Sequence, residues 1–348
     1  MPVAWSGMFT DTLAQARSTV AGWLGCRASE VVFTSGGTEA DNLAVKGIAL
    51  GNPRGRHIVT TRIEHEAVLE SVGYLVRQHG FEATFLPVNR DGLVDAADLA
   101  SAVRPDTTLV SVMYANNEIG TVQPIAELAQ VAREHAVPFH TDAVQAAGWL
   151  DLSVASLGVD SLSLSGHKLG AAKGIGALFV RGRLPLEPVL HGGGQERGRR
   201  SGTENVAGAV GLAAAVRLSE PHRTARSRQA AEARDVFVAS VLAGVNGAEL
   251  TGHPSARLPA TASFVFPTTS GESALLELER RGVVGSSGSA CAAGSDAASH
   301  VLVALGYPEE VAQTAVRFTW SRDVTVEQLL EVASSVREAV ASVKALVG

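Results

Sequence analysis

Cysteine is almost missing from this sequence: 348 residues contain two, Cys26 and Cys291. Two cysteines far apart make no disulfide framework, so the fold rests on its core, and a reduced cytoplasm is the natural setting. Aromatic residues are also scarce, at 5%. The core is therefore built mainly from Val, Ala and Leu. No apolar run approaches the roughly 18 residues that cross a bilayer. The richest stretch, Val206 to Val216, is short, alanine-rich and broken by glycine. The first basic residue is Arg17, so the N-terminus does not read as a secretory signal. Charge of one sign is not in excess either. Against 35 acidic residues stand 29 basic ones, a formal net charge of −6, which disfavours nucleic acid as a partner. The one local exception is Arg197-Gly198-Arg199-Arg200.

What is present is ample core material, with 46% hydrophobic residues, and 36 glycines. Such a chain is globular rather than disordered, and at about 150 residues per domain it has room for two. Short apolar runs at Val31–Thr34, His57–Thr60, Leu109–Met113, Pro138–Thr141, Ser161–Ser165 and Gly176–Val180 predict strands. Between some of them, Glu66–Gln78 and Ile125–Glu134 repeat apolar residues at helical spacing. Alternating strands and helices predict an α/β fold with a largely parallel sheet, whose ligands sit beyond the carboxyl ends of the strands. The charged stretch from Ser219 to Arg226 marks a boundary, giving domains at 1–220 and 221–348. The second holds strands at Thr261–Phe266 and Ala315–Thr319 and helices at Glu272–Arg281 and Val326–Leu346, enough for a small α+β domain.

Three segments carry candidate chemistry. Ser165-Gly166-His167-Lys168 ends a predicted strand. Its lysine is either a solvated residue or a Schiff-base amine, and Ser165 and His167 could bind a phosphate. His140-Thr141-Asp142-Ala143-Val144-Gln145 follows another strand. Its Asp142 is either a helix cap or a carboxylate aimed at a pyridinium nitrogen. The 26 residues from Asp142 to Lys168 leave room for one strand between them, which would put both on one rim. Thr34-Ser35-Gly36-Gly37-Thr38 runs from a strand into a helix. It is either an ordinary start capped by Thr38 or a helix N-terminus open to an anion.

Taken together in this order, the segments resemble the cysteine desulfurases of the NifS/IscS type, class V aminotransferase-like enzymes dependent on pyridoxal 5'-phosphate (PLP). The resemblance covers eight ordered motifs: TSGGTEADN (34–42), EHEAV (64–68), ANNEIGTVQPI (115–125), HTDAVQ (140–145), SGHK (165–168), GGGQERGRRSGTENVAG (192–208), SSGSACAAG (286–294) and VRFTWSR (316–322). It implies the fold type I, aspartate aminotransferase-like architecture, with PLP in the large domain and the catalytic cysteine loop in the small one. It further implies that Lys168 carries PLP, Asp142 pairs with the pyridine nitrogen and Gln145 bonds the phenolic oxygen. His65 would stack on the ring and assist proton transfers, and Asn117 would lie near ring and substrate. Gly37, Thr38, Ser165 and His167 would bind the phosphate. Thr203 would reach the phosphate of a neighbouring subunit, which implies a homodimer. Arg317 would clamp the substrate carboxylate, and Cys291 would take the sulfur as a persulfide.

The implied reaction turns L-cysteine into L-alanine and passes sulfur to an acceptor, such as an iron–sulfur scaffold, tRNA or another thiolated product. No metal ligand set, membrane contact or direct nucleic-acid contact is expected. Within the same scaffold a selenocysteine lyase or C–S lyase is the rival activity. A non-catalytic partner of a sulfur-transfer complex is the rival of another class. Cys26 reads as structural, and the 197–200 arginines as neighbours of a dimer interface and the phosphate. The sequence departs from the family in two places. Thr319-Trp320-Ser321-Arg322 stands where Ser-Leu-Gly-Arg is usual, so Trp320 is expected to reshape the pocket near Arg317. Family members also carry roughly 30 further residues at the start. Their lack is expected to leave folding and PLP binding intact and to weaken turnover.

Overall fold

The computed structural model describes residues 3–52, 54–287, 298–321 and 323–347. Its contacts divide the chain into two compact units. The first comprises the chain up to Pro87 with Val94–Tyr114 and Gln123–Arg223. The second comprises Val88–Leu93, Ala115–Val122 and everything from Thr224 onward. Two short excursions thus join the second unit ahead of the boundary read near residue 220, and one of them carries Asn117.

The first unit is built on seven strands: β1 (Val31–Thr34), β2 (His57–Thr61), β3 (Glu82–Leu86), β4 (Thr107–Ser111), β5 (Phe139–Asp142), β6 (Ser161–Ser165) and β7 (Gly176–Val180). Their order across the sheet is β1-β7-β6-β5-β4-β2-β3. The pairs β2–β3, β2–β4, β4–β5 and β5–β6 are parallel. Only β7 runs the other way, antiparallel to β1 and β6. Because β1 and β6 flank the same reversed strand, both point in one direction. The carboxyl ends of β1, β2, β4, β5 and β6 therefore share one edge. Six of the seven strands follow the apolar runs of the sequence. The seventh, β3, is the edge strand; its Glu82 is exposed and only Leu86 is buried, so its pattern is too weak to stand out.

The helices Gly37–Gly51 and Glu66–His79 pack on this sheet through a common core that includes Leu43, Ile48, Ile58, Val68, Leu75, Leu109 and Leu178. His65 caps the second of these, its Nδ1 accepting from the Ala67 N–H at 3.0 Å, and Gly80 ends it in the left-handed conformation at φ 66°.

The second unit has a four-stranded sheet of order β10-β11-β9-β8, with β8 (Glu249–Leu250), β9 (Thr261–Val265), β10 (Ser286–Ser287) and β11 (Ala315–Thr319), all pairings antiparallel. One face is covered by the helices Arg223–Gly244, Gly271–Arg280 and Val326–Val347 around Phe237, Phe264, Phe318 and Val336. Along β11, Val316 and Phe318 are buried in this core, and Trp320 continues their parity, its ring meeting Phe237 edge-on at 5.8 Å. Arg317 has the opposite parity. Strand alternation thus sends Trp320 to the core and away from the face of Arg317, which corrects the expectation that it reshapes the pocket beside that arginine.

Candidate active site

The shared edge of the large sheet gathers the cofactor candidates of the first unit. Asp142 is the last residue of β5 and is buried. β6 is the next strand over, with Ser163 opposite Asp142 in register. It leads into a turn of 3-10 helix, Gly166–Leu169, which exposes His167 and Lys168. The single intervening strand for which the sequence spacing leaves room is this one. Asp142 does make a local turn bond, accepting from the Val144 N–H at 2.8 Å, but it heads no α-helix. Its burial raises its pKa, and only the charges of His65 and Lys168, with the Val144 bond, work in the opposite direction. A carboxyl in such a place is held as the anion only by a cation brought beside it.

The turn after β1 supplies the second element. Gly36 is the N-cap of the helix Gly37–Gly51, and no side chain caps it. Thr38 lies inside the first turn instead of capping it. A Cβ on Gly37 would stand 2.8 Å from Val144 Cγ2, so the turn after β1 is pressed against the turn after β5 at a spacing only glycine allows. Ser165 Oγ and His167 Nδ1 are paired at 2.8 Å beside it. An uncapped helix N-terminus with adjacent hydroxyl and imidazole groups has the donors that a phosphate requires. Gln145 is half-buried in the turn after Asp142, and Thr203 is exposed, lining a small cleft with Thr34, Ser35 and Arg200. The residues present thus fit PLP: a cradle for its phosphate, a buried carboxylate for its ring nitrogen and an exposed amine one strand away.

Behind Asp142 lies a buried polar ladder to which sequence reading gave no role. His140 takes Ser111 Oγ on Nδ1 and Ser163 Oγ on Nε2, both at 2.9 Å. Asp41, from the helix Gly37–Gly51, bonds Ser163 and lies 3.8 Å from His140. Burial drives the His140 pKa down to about 3, so the imidazole is neutral and its contact with Asp41 is no ion pair. Burial and the nearby Asp142 carboxyl push Asp41 well up. Glu64, accepting from the Met113 N–H and Thr61 Oγ1, is pushed up to about 8 by burial. The signal was visible: Ser111, His140 and Ser163 are polar residues inside strands that read as buried.

In the second unit, Arg317 donates from Nη1 to the Asn117 carbonyl at 2.5 Å, so these two candidates are neighbours. Cys291 lies outside the described residues. Cys26 is half-buried, and burial followed by the charge of Glu30 pushes its thiol up to about 11, which suits a structural residue. The arginine run is engaged within the chain: Arg197 and Arg199 donate to the carbonyls of Val31 and Ser29, and Arg200 to Glu39.

Comparison with known proteins gives the family. The family model described as aminotransferase class-V matches residues 4–332. The chain is 45% identical to the cysteine desulfurase IscS of Dictyoglomus turgidum over 318 residues, which is 91% of this chain and 80% of that protein. Among solved structures it is similar to a NifS-like protein, with a TM-score of 0.90 at 34% identity, covering 98% of this chain and 91% of that one. It is also similar to SspA in complex with cysteine, with a TM-score of 0.76 at 36% identity over 90% and 88% of the two chains. With likeness running through nearly the whole chain, it belongs to the class-V aminotransferase family and, within it, to the cysteine desulfurases of the IscS and NifS kind.

Proposed function

We propose that this chain is a PLP-dependent L-cysteine desulfurase. The observation that carries the reading is that buried Asp142 ends β5 while exposed Lys168 follows the end of its parallel neighbour β6, on the edge that also holds the uncapped glycine turn after β1. The relatives named cysteine desulfurase, and one solved in complex with cysteine, support the substrate. When bound, PLP supplies an electron sink for the carbon that loses its proton. Gly37, Thr38, Ser165 and His167 would hold its phosphate, Asp142 its ring nitrogen and Gln145 its phenolic oxygen. Lys168 would anchor it and move the substrate's Cα proton at Nζ. His65 would lie against the ring and assist proton transfer. Arg317 would take the substrate carboxylate through its planar fork, with Asn117 beside it.

The Cys291 thiolate then attacks the substrate sulfur. A sulfur–sulfur bond forms, the Cβ–S bond breaks with its electron pair left on carbon, and that carbon is protonated to give alanine. The persulfide sulfur passes to an acceptor protein. The reading includes a homodimer in which Thr203 serves the partner's phosphate, and a reducing cytoplasm that keeps the thiol available. The net charge of −6 supports a protein acceptor over direct nucleic-acid contact.

The test is a single turnover of Cys291→Ser loaded with PLP and given L-cysteine. The variant is expected to bind substrate, seen as a shift of the visible cofactor band, yet to form neither protein persulfide nor alanine. Alanine formed at the wild-type rate would overturn the carrier role, and pyruvate, ammonia and sulfide released in its place would leave a C–S lyase.

A further inference from the structure

The strap from Gly192 to Thr203 is more tightly held than a surface loop needs to be. Glu196 and Arg197 are both in the left-handed region, at φ 48° and 61°, a conformation that non-glycine side chains adopt only when their surroundings impose it. The surroundings here are ionic. Glu196 is buried and takes a fork from Arg17, at 2.6 and 2.7 Å, together with the Phe33 N–H at 3.1 Å. Arg197 reaches the Val31 carbonyl at 2.6 Å. These bonds fix the first half of the strap to β1 and to the helix Val3–Leu24 that carries Arg17. A second fork fixes the other half. Arg200 donates from Nε and Nη2 to the two oxygens of Glu39, at 2.7 and 3.2 Å. Glu39 lies in the first turn of the helix Gly37–Gly51 and also accepts the Ser35 N–H at 2.8 Å.

The placement of Glu39 is informative. A carboxylate in the first turn of a helix is favourable by itself. It stands, however, at the N-terminus that the proposed function gives to a phosphate, where a second negative charge is repelled. Burial would raise the Glu39 pKa, but the hydrogen bonds from Arg200 and Ser35 outweigh it and hold the group below the usual carboxylate range. The carboxylate is thus anionic, and Arg200 is the cation that balances it. The same fork ties the glycine turn to the strap that bears Thr203.

We propose that Arg200 is a positioning residue for the cofactor phosphate, neutralising Glu39 at the cradle and locking the strap to the turn. It rests on the reading of the Gly37–Thr38 turn as the phosphate site. Arg200→Met leaves the Glu39 charge uncompensated beside the phosphate, whereas Glu39→Gln removes that charge and leaves the cation.

The experiment uses the whole chain stripped of PLP. It measures the dissociation constants of PLP, of pyridoxal without phosphate, and of inorganic phosphate as a competitor. Arg200→Met is expected to weaken PLP and phosphate about tenfold and to leave pyridoxal unchanged. Adding Glu39→Gln to it restores most of the loss, and Arg200→Lys falls between, because a point charge replaces a fork. Glu39→Gln alone binds phosphate at least as tightly as wild type, a measurement that stands even where Arg200→Met fails to fold. Unchanged PLP affinity in Arg200→Met, an equal loss for pyridoxal, no rescue in the double variant, or weakened phosphate binding in Glu39→Gln would each overturn the proposal. Wild-type protein that binds no PLP would instead overturn the function on which it rests.

Discussion

The carboxyl edge of the seven-stranded sheet buries Asp41, Glu64, His140, Asp142 and Ser163, while the four-stranded sheet of the second unit buries Phe237, Phe264, Phe266 and Phe318. Both regions are closed to solvent, but they are closed for different ends. The aromatic cluster is stacked and edge-on, with ring centroids 5.4 to 6.2 Å apart, and it stabilises by area and packing alone. The polar ladder makes no such gain, since each of its groups gives up water for the bonds it makes. Apolar residues of the same size would hold β4, β5 and β6 together as well or better. Its presence next to Asp142 marks this edge as the place where charge is handled.

The largest effect that separates the two regions is expected at Lys168. Because the residue is exposed, Lys168→Ala should leave the unfolding midpoint of the PLP-free protein almost unchanged while alanine formation from cysteine by the PLP-loaded protein falls by more than about 10³-fold. A variant that keeps its rate, or that unfolds readily, breaks the contrast between a chemical edge and a structural core.

Phe237→Ala makes the opposite cut. Phe237 is fully buried against Phe264, Phe318 and Trp320. Its truncation should destabilise the protein by about 3–5 kcal/mol in urea unfolding. A cost under about 1 kcal/mol would show that the aromatic cluster is not what holds the second unit.

The smallest effect is in pH dependence. Glu64 is buried with its pKa raised to about 8, against an ordinary value of about 4.3. A carboxyl raised in this way contributes stability that is complete below its ordinary pKa and is lost as pH rises through the folded value. Between pH 5 and 8 the wild type should therefore lose stability relative to Glu64→Gln, by about 1.4 kcal/mol per pH unit at most. Thermal unfolding of the two proteins across that range reads the difference. Parallel curves would mean that Glu64 is ionised in the folded protein and that the edge is less hydrophobic in its electrostatics than the ladder implies.

Much of this edge was legible in the chain. Asp142 and Lys168 each follow a strand, and 26 residues leave room for just one more, so their sharing of an edge follows from strand alternation and the directionality of parallel sheets. The glycine turn before residue 38 was legible for the same reason. Other features were not. β3 escaped because an edge strand need bury only part of its side chains. Asp41 and His140 sit inside quoted motifs, yet their partnership depends on β5 lying between β4 and β6 and on which helix covers that face. The Glu39–Arg200 fork joins residues 161 apart, a distance no local pattern spans. Trp320 shows the reverse failure: its position near Arg317 in sequence suggested a shared pocket, and the two-residue period of a strand sent them to opposite faces.

What the sequence determined by itself, then, is whatever depends on local periodicity: which segments are strands and helices, that the sheet is largely parallel, and that glycine, aspartate and lysine stand at strand ends. Tertiary structure alone decided the charge states of Asp41, Glu64 and His140, the joining of residues 88–93 and 115–122 to the second unit, and the forks that hold the strap. Those outcomes come from desolvation and from contacts between distant segments, which exist only once the chain has folded.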